Sequence, residues 1–219
     1  MAQVTEKYYK EEFWATENMH YAQPHFRLEK AARIVNRLAR GRRCDLLDVG
    51  CGPATLARLL DRNISYHGID IAIHQPAPNL RQYDFLEERI QFNDLKFDII
   101  VAQGVFEYVG RFQDVKLAEI ARLLKPDGIF LASYVNFDHL RKSLYEPYSN
   151  VQSFGEFRGS LARAFRIERY FPTSVRWRHQ EPKGRIMKRV HMHLNRNIPF
   201  VSRKFAVEHF FICRPRQNG

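Results

Sequence analysis

The sequence contains three cysteines, Cys44, Cys51 and Cys213, and no Cys-x-x-Cys pair. An odd number of scattered cysteines argues against a disulfide framework or a structural zinc site and is typical of the reducing cytosol. No run approaches the ~20 apolar residues needed to span a bilayer. The N-terminal segment MAQVTEKYYKEEFW is charged and lacks the apolar core of a signal peptide. We therefore expect a cytoplasmic protein with no membrane span and no bound metal.

Acidic residues are scarce in the C-terminal third. Residues 1–140 hold 18 Lys and Arg against 19 Asp and Glu, whereas residues 141–219 hold 17 against 5. The formal net charge of +11 therefore arises entirely from the second segment. This segment forms either an ordinary solvated basic face or a surface that attracts an anionic acceptor or an anionic polymer.

A glycine-rich turn follows an apolar run in residues 46–54, LLDVGCGPA. Gly50, Cys51 and Gly52 make the turn, and a helical pattern begins at Pro53. Glycine permits a sharp bend or the close approach of a ligand, and proline is well tolerated at the first helical position. The pattern predicts a buried strand, a turn and a helix N-terminus that favours an electron-rich ligand. This is the layout of a nucleotide-binding turn in an α/β sheet.

Strand-like and helical segments alternate around this turn. Apolar runs predict strands at residues 43–49, 64–70, 80–85, 97–103 and 129–135. Apolar residues at helical spacing predict helices at residues 26–41, 54–63 and 115–124. Residues 71–79 contain two prolines and cannot form a long helix. The alternation implies a parallel sheet with right-handed crossovers.

The pattern loosens in the last third of the chain. Residues 137–164 predict one or two helices, and the segments FRIERYF and EHFFICRP predict two further strands. The basic stretch 173–199 between those strands has no clear assignment.

The motif LLDVGCGPA resembles the first motif of the class I S-adenosylmethionine-dependent methyltransferases, and the resemblance extends from about Leu46 to about Tyr134. It implies a Rossmann-like α/β fold: a mostly parallel seven-stranded sheet with helices on both faces and an antiparallel edge hairpin formed by the last two strands. It also implies S-adenosyl-L-methionine as the methyl donor and S-adenosyl-L-homocysteine as the product. We expect a single methyltransferase domain over residues 1–219, made of an N-terminal helical lid or cap (1–43), a cofactor-binding core (44–136), and an acceptor-binding insert with closing strands (137–219).

Two acidic residues at predicted strand ends are candidates for binding the nucleoside. Asp70 stands twenty residues after Gly50, where an acid can accept hydrogen bonds from both ribose hydroxyls, and Ile71 is expected to line the same site. The resemblance implies that Asp84 meets the adenine amino group and that Phe85 packs on the adenine face. The alternatives are a helix cap or a solvated carboxylate for Asp70, and a helix N-cap for Asp84.

Other candidates concern the methionine end of the cofactor. Gln103 and Gly104 end the fourth predicted strand and are expected to face it, since ligands bind at the carboxyl ends of strands in such sheets. Asp48 is expected to order the turn and a nearby amino group. Arg27 starts the first long helix and is a candidate for a bidentate contact with the cofactor carboxylate. A surface position is the alternative for Arg27.

Aromatic residues of the N-terminal segment are candidates for a lid. Trp14, with Tyr9 and Tyr21, is placed where it can cover the sulfonium, because aromatic faces attract cations. Ordinary packing of an N-terminal helix is the alternative.

Methyl transfer from a sulfonium needs alignment and exclusion of water, and it needs a base only when the nucleophile must lose a proton. The candidate bases are Glu107, Tyr108 and His139, with His20 as a further one. Many small-molecule members of the resembling family carry Glu-His or Leu-His where this chain has Glu107-Tyr108, so a histidine base is absent at that point. A packing role is the alternative for both residues.

Two motifs are missing after the fourth predicted strand. The absence of Asn/Asp-Pro-Pro-Tyr counts against methylation of an exocyclic adenine amine or a glutamine amide. The absence of Pro-Cys counts against 5-methylcytosine chemistry through a covalent adduct. The acceptor atoms that remain are an oxygen, an ordinary nitrogen or an activated carbon of a small molecule. Of these, we predict biosynthetic methyl transfer to an oxygen or nitrogen of a metabolite, sugar or natural-product intermediate, with an acidic acceptor as one option.

Three alternatives remain. An RNA methyltransferase would use the basic C-terminal third and would show a steep salt dependence, but the sequence contains no recognisable RNA-binding module, so we do not expect a nucleic-acid partner. A nicotinamide-dependent oxidoreductase shares Gly50-x-Gly52 and Asp70, yet Thr55 occupies the place of the third glycine. A catalytically silent binding protein on the same fold is the third, because fold alone does not determine activity.

Overall fold

The computed structural model describes residues 15–16, 18–86, 89–92, 95–137, 152–176, 189–191, 198–200 and 205–216. The α-helices whose bounds lie within these residues flank one sheet. They are α1 (Phe26–Ala39), α2 (Gln113–Leu123) and α3 (Phe154–Ala164). The first two confirm predicted helices, and α3 is one of the helices predicted within residues 137–164.

The described part of the chain forms an eight-stranded sheet with the order β3-β2-β1-β4-β5-β8-β6-β7. The strands are β1 (Cys44–Val49), β2 (Ile64–Asp70), β3 (Leu80–Gln82), β4 (Phe97–Ala102), β5 (Leu124–Val135), β6 (Phe165–Arg176), β7 (Arg189–His191) and β8 (Ala206–Pro215). Pairs from β3 to β5 are parallel, and β8, β6 and β7 join in antiparallel pairs. The predicted fold class is therefore confirmed. The short β7, in the stretch that the sequence left unassigned, adds an eighth strand at the edge.

Each face of the sheet is covered by its own apolar cluster. On one face, α1 places Val35 in a cluster with Leu46 of β1. On the other, α2 and α3 place Leu117 and Phe157 in a cluster with Leu47. All five side chains are completely buried, and each such burial contributes about 1.5–3 kcal/mol relative to exposure. The alternation of Leu46 and Leu47 across one strand explains why helices are needed on both faces.

The helix predicted after the glycine turn is wrong. The structure has a five-residue 3₁₀ turn there, Thr55–Leu59, and Leu60 is already extended. Ala54 has a left-handed backbone with φ of 52°, which a regular helix cannot include. The Thr55 hydroxyl is held at 2.6 Å by the carbonyl oxygen of Tyr21. The turn is therefore followed by a short element tied to the N-terminal segment, with no α-helix N-terminus aimed at the ligand.

The two predicted closing strands are confirmed as β6 and β8. β8 lies between β5 and β6, and Glu208 of β8 pairs in register with Val135 of β5 and with Ser174 of β6. The start of β8 therefore lies close to the carboxyl end of β5, on the same side as the glycine turn.

No helix in the described residues is long and apolar enough to cross a membrane. Two of the residues named above, Trp14 and His139, lie outside the described residues, as do Tyr9 and most of the basic stretch 173–199.

Candidate functional site

A cavity of about 440 Å³ lies at the carboxyl ends of β1, β2 and β4. Parallel sheets bind ligands at this edge. Among the described residues, the cavity wall includes all the candidate cofactor and catalytic residues except His20. These wall residues are Arg27, Asp48, Gly50, Cys51, Gly52, Asp70, Ile71, Asp84, Phe85, Gln103, Gly104, Glu107 and Tyr108.

The glycine turn closes tightly over the end of β2. The backbone N–H groups of Gly50 and Cys51 both donate to the carbonyl oxygen of Ile69, at 2.8 and 3.1 Å. Gly50 has a φ of +70°, and a Cβ placed on it would lie 2.5 Å from Cγ2 of Val105. Only glycine avoids both the left-handed strain and this collision. The turn therefore forms a compact cradle at the cavity wall, with no side chain at Gly50.

The Asp70 carboxylate is buried at the end of β2 and is already engaged with backbone. Its Oδ2 accepts the N–H of Gly52 at 2.8 Å, and its Oδ1 accepts the N–H of Ala72 at 3.0 Å. Each carboxylate oxygen can accept more than one hydrogen bond, so ribose hydroxyls can still be accommodated. Asp70 is therefore neither a helix cap nor a solvated carboxylate: it is buried and orders the backbone of the turn, and this contact is compatible with ligand binding.

Asp48 lies below the turn and is buried. Its Oδ2 accepts a hydrogen bond of 2.8 Å from the Tyr66 hydroxyl. Burial, reinforced by the charge of Asp70, raises the pKa of Asp48 to about 7, although the Tyr66 hydrogen bond opposes this. The carboxyl thus changes its charge close to neutral pH and favours a cationic group beside the turn.

Gln103 and Gly104 directly follow the end of β4. The side-chain amide nitrogen and oxygen of Gln103 are both shielded from solvent and have no hydrogen-bond partner among the described residues. The backbone N–H of Gly104 donates to the Ser133 hydroxyl at 3.0 Å. Buried amides are almost always hydrogen-bonded, so the Gln103 side chain is an exception at the edge of the cavity.

Arg27 lies at this same place. Its Nη1 donates to Oε1 of Glu208 at 3.2 Å, and a Cβ on Gly104 would lie 3.1 Å from that nitrogen. The Thr173 hydroxyl holds the other oxygen of Glu208 at 3.0 Å. Arg27 is therefore not an ordinary surface arginine, because β8 holds its guanidinium against the end of β4.

Glu107 is a buried carboxyl in the cavity wall. Its Oε1 accepts the backbone N–H of Val135 at 2.9 Å, and its Oε2 is buried with no partner among the described residues. Burial, followed by the charge of Glu208, raises the pKa of Glu107 to about 7, against the opposing effect of Arg27. A carboxyl poised near neutral pH in a cavity wall suits general acid–base chemistry.

Asp84 and Phe85, the candidates for contact with the adenine, also line the cavity. Oδ1 of Asp84 accepts the N–H of Leu86 at 2.8 Å, which is a local turn contact; the structure describes no helix there for Asp84 to cap. The Phe85 ring lies edge-on to Phe106, with a centroid distance of 5.9 Å, and Lys116 Nζ lies 5.0 Å from the Phe85 centroid. The ring is therefore held in the cavity wall.

Sequence reasoning missed two residues that meet Arg27. Glu208 is one, and the signal that could have found it is an acid at the start of an apolar strand in a segment almost devoid of acids. His25, the residue that caps α1, is the other. Both also line a second cavity beside the first, together with Tyr21 and His20. Among the described residues, no group of three or more His, Cys, Asp or Glu could hold a metal ion.

The sheet order, the glycine cradle and the acid at the end of β2 define a Rossmann-like nucleoside-binding enzyme fold. A family model described as "Methyltransferase domain" matches residues 23–193. The chain belongs to this family, and S-adenosylmethionine is the cofactor of the class, as the resemblance predicted.

The structure is similar to a TehB-like SAM-dependent methyltransferase from Corynebacterium glutamicum. The TM-score is 0.61 at 17% sequence identity, with 94% of this chain and 98% of the other chain covered. At this level of identity the likeness shows the fold.

Two curated proteins are similar in sequence. The malonyl-[acyl-carrier protein] O-methyltransferase of Calditerrivibrio nitroreducens is 29% identical over 135 residues, which is 59% of this chain and 54% of the relative. The cyclopropane-fatty-acyl-phospholipid synthase of Escherichia coli strain K12 is 36% identical over 94 residues, or 39% of this chain and 25% of the relative. The chain thus spans about half the length of the first relative and a quarter of the second.

Proposed function

We propose that this protein binds S-adenosylmethionine in the cavity at the carboxyl edge of the sheet and methylates an oxygen or nitrogen of a small molecule. One observation carries the proposal: the bare glycine cradle, the Asp70 carboxylate and the unpartnered polar atoms of Gln103 and Glu107 all line one cavity. A nucleoside with an amino-acid tail supplies the hydroxyls, the donors and the acceptors that these groups need.

The residues divide the cavity into two ends. Asp70, Asp84 and Phe85 form the end that would hold the ribose and adenine. Gln103 and Arg27 form the end that would hold the amino-acid tail. The buried Asp48 carboxyl, below the turn, favours the cationic part of that tail electrostatically.

The bound cofactor supplies a methyl group that is already activated for transfer. The remaining tasks belong to the protein: alignment of the acceptor, exclusion of water, and removal of a proton where the acceptor carries one. We assign Oε2 of Glu107 as the base that takes the proton from the acceptor. This oxygen is buried and has no partner among the described residues, and its carboxyl has a pKa of about 7. Tyr108 is a neighbouring hydroxyl in the same wall.

Support for the acceptor class comes from the relatives. One is named for O-methylation of a malonyl group on a carrier protein and another for synthesis on fatty-acyl phospholipids. Neither name mentions RNA. We therefore retain the small-molecule acceptor, with an acidic group as the favoured option.

Cofactor binding is tested by calorimetry with S-adenosylhomocysteine on the wild type and on Asp70→Asn, which is nearly isosteric. Loss of the carboxylate charge should weaken binding at least about tenfold, since hydrogen bonds to charged groups are worth about 1.5–3 kcal/mol. Asp61→Asn is the matched control, because Asp61 is exposed and does not line the cavity.

A ligand without ribose hydroxyls separates contact from distortion. If Asp70 acts through the ribose, the dideoxyribose analogue of S-adenosylhomocysteine should bind the wild type and Asp70→Asn about equally. If the substitution merely disturbs the Gly52 contact, both ligands lose affinity in parallel, and the ribose assignment is wrong.

Transfer itself is tested with methyl-labelled cofactor and a panel of oxygen and nitrogen nucleophiles, with and without carboxylate or phosphate groups. Labelled product from at least one acceptor supports the proposal. Tight cofactor binding with no transfer to any acceptor would instead favour a catalytically silent binding protein.

A further inference from the structure

Tyr66 and Asp48 meet on one face of the sheet, beneath the glycine turn. Asp48 pairs in register with Gly68 of β2, and Tyr66 stands two residues before Gly68 on that strand. Residues two apart on a strand share a face of the sheet, so Tyr66 and Asp48 lie on the same side. The Tyr66 hydroxyl donates to Oδ2 of Asp48 at 2.8 Å, and both residues are buried. The two strands therefore bring a hydroxyl donor against a buried carboxyl.

The Cys51 thiol packs on the same face. A Cβ on Gly68 would lie 2.8 Å from Sγ of Cys51, so glycine at this position leaves room for the thiol. Burial raises the pKa of Cys51, and it raises the pKa of Tyr66 well above its usual value. Both groups therefore keep their protons at neutral pH, and the Tyr66 hydroxyl faces Asp48 as a donor.

Asp48 is the group of this cluster whose charge changes near neutral pH. Burial raises the pKa of its carboxyl to about 7, the Tyr66 hydrogen bond opposes this, and the charge of Asp70 adds to it. Among the described residues, the titratable groups that face Asp48 are Tyr66 and Asp70 of β2 and Cys51 of the turn. A hydrogen bond donated to a carboxylate favours the ionised form. Tyr66 therefore keeps more of the Asp48 carboxyl ionised than burial alone would allow.

The ionised form of Asp48 is the one that favours a cationic ligand group. Asp48 belongs to the cavity wall, whereas Tyr66 lies behind it and is not part of the wall. A carboxylate attracts the cationic amino group of an amino-acid tail, and a neutral carboxyl does not. Tyr66 therefore acts on the ligand through Asp48, without contact of its own.

We propose that Tyr66 is a positioning residue for cofactor binding: its hydroxyl orients the Asp48 carboxyl and holds it in the ionised form that receives the amino group of the cofactor. The proposal rests on the function proposed above and deepens it. It assigns control of the cofactor affinity to a residue outside the cavity wall, and it makes that affinity depend on pH.

The test is calorimetry with S-adenosylhomocysteine at pH 6 and pH 8.5 on the wild type and on Tyr66→Phe, which removes only the hydroxyl. Tyr134→Phe is the matched control. Tyr134 is also a buried strand residue, its hydroxyl donates to the carbonyl oxygen of Gln152 at 2.9 Å, and it lines neither cavity. Asp48→Asn tests the route of the effect, and the deamino analogue of S-adenosylhomocysteine tests the ligand group. Thermal melts establish that all variants are folded.

Loss of one hydrogen bond to a charged oxygen should raise the pKa of Asp48 by about one. Tyr66→Phe should therefore bind S-adenosylhomocysteine about tenfold more weakly than the wild type at pH 6. The two should bind about equally at pH 8.5, where Asp48 is mostly ionised in both. Tyr134→Phe should match the wild type at both pH values. The deamino analogue should bind the wild type and Tyr66→Phe equally, and in the Asp48→Asn background Tyr66→Phe should cause no further loss.

An equal loss of affinity at both pH values would overturn the proposal, because a structural disturbance does not depend on the charge of Asp48. Unchanged affinity at pH 6 would also overturn it, as would the same loss for the deamino analogue or in the Asp48→Asn background. Each of these results leaves the proposed function intact, because the wild type still binds S-adenosylhomocysteine. A wild type that binds none would instead reject the proposed function, and this role of Tyr66 with it.

Discussion

Gly50 and Val105 approach so closely that a Cβ on Gly50 would lie 2.5 Å from Cγ2 of Val105. Gly50 belongs to the turn after β1, and Val105 follows the end of β4. The two strands are neighbours and parallel, so both segments meet at the carboxyl edge of the sheet. Both residues line the cavity, so the contact shapes its wall.

Gly50→Ala should weaken S-adenosylhomocysteine binding at least about tenfold. It should also destabilise the fold by more than roughly 1–2 kcal/mol, which is the cost of a left-handed non-glycine residue, because the collision with Val105 adds to that cost. Calorimetry and urea unfolding measure the two effects.

The double variant Gly50→Ala/Val105→Ala isolates the collision. It should be more stable than the sum of the two single changes predicts, because removing Cγ2 relieves the contact. Additive free energies of unfolding would show that the backbone strain alone matters.

Glu208→Gln should destabilise the protein by about 1–3 kcal/mol, because the half-buried Arg27 loses the charge of a buried partner. Urea unfolding measures the loss. The exposed pair between Arg33 and Glu29 supplies the control: Glu29→Gln should cost well under about 1 kcal/mol. Equal effects of the two substitutions would contradict the buried role of Glu208.

The pH dependence of methyl transfer should reflect Glu107. Because burial raises its pKa to about 7, a base at this position makes the rate rise with pH through that region and level off above it. Glu107→Gln should remove this limb and lower the rate by a factor of about 10²–10⁴. Tyr108→Phe is the comparison, and a limb near pH 7 that survives in Glu107→Gln would exclude Glu107.

Glu208→Gln should move the same limb to lower pH. The charge of Glu208 is one of the causes that raise the Glu107 pKa, and Arg27 lowers it. Removing the Glu208 charge removes a repulsion from Glu107 and leaves the Arg27 charge without its carboxylate partner. Both changes lower the pKa of Glu107. A limb that stays in place, or moves upward, would show that the two carboxyls are not coupled.

His209 should make the protein less stable in acid. Burial, followed by the charge of Lys30, lowers its pKa to about 3. The unfolded chain takes up a proton on this histidine near pH 6.5, while the folded chain does not. The contribution of the neutral His209 to the free energy of unfolding is therefore present above about pH 6.5 and is lost progressively as the pH falls toward 3. The loss is at most about 1.4 kcal/mol per pH unit.

His209→Phe removes this dependence. The ring lies among the aromatic side chains of Phe154, Tyr170 and Phe211, and its Nδ1 has no partner among the described residues, so phenylalanine fits the site chemically. Urea unfolding at pH 7.5 and pH 5 should show a smaller loss of stability in the variant than in the wild type. Parallel losses would contradict the assignment.

Local patterns were enough to predict the parallel part of the sheet, whereas the antiparallel closing strands were implied by the resemblance. The apolar runs of β1, β2 and β4 are continuous because both faces of the sheet are covered, and the spacing in α1 indicates one apolar face. The same patterns failed at residues 54–63. Their apolar spacing is helical, but the left-handed Ala54 and the hydrogen bond from Thr55 to Tyr21 limit the helix to one 3₁₀ turn. A tertiary contact and one backbone angle outweighed a weak local propensity.

The candidate site could be predicted where its residues follow strands. Gly50, Asp70, Asp84 and Gln103 stand at strand ends, and the carboxyl ends of parallel strands lie on one edge. Their roles toward a ligand remain predictions. The environment of Arg27 could not be predicted in this way, because its partner Glu208 is 181 residues away in sequence.

By itself, the sequence determined the alternation of strands and helices, the bare turn after β1 and the acid at the end of β2, since these depend on backbone freedom and on short-range periodicity. Only the tertiary structure decided which side chains share one cavity, and that the buried carboxyls of Asp48 and Glu107 have pKa values near 7. Those properties depend on burial and on contacts between residues distant in sequence. The antiparallel β8 beside β5 supplies one such contact, between Glu208 and Arg27, and no local pattern encodes it.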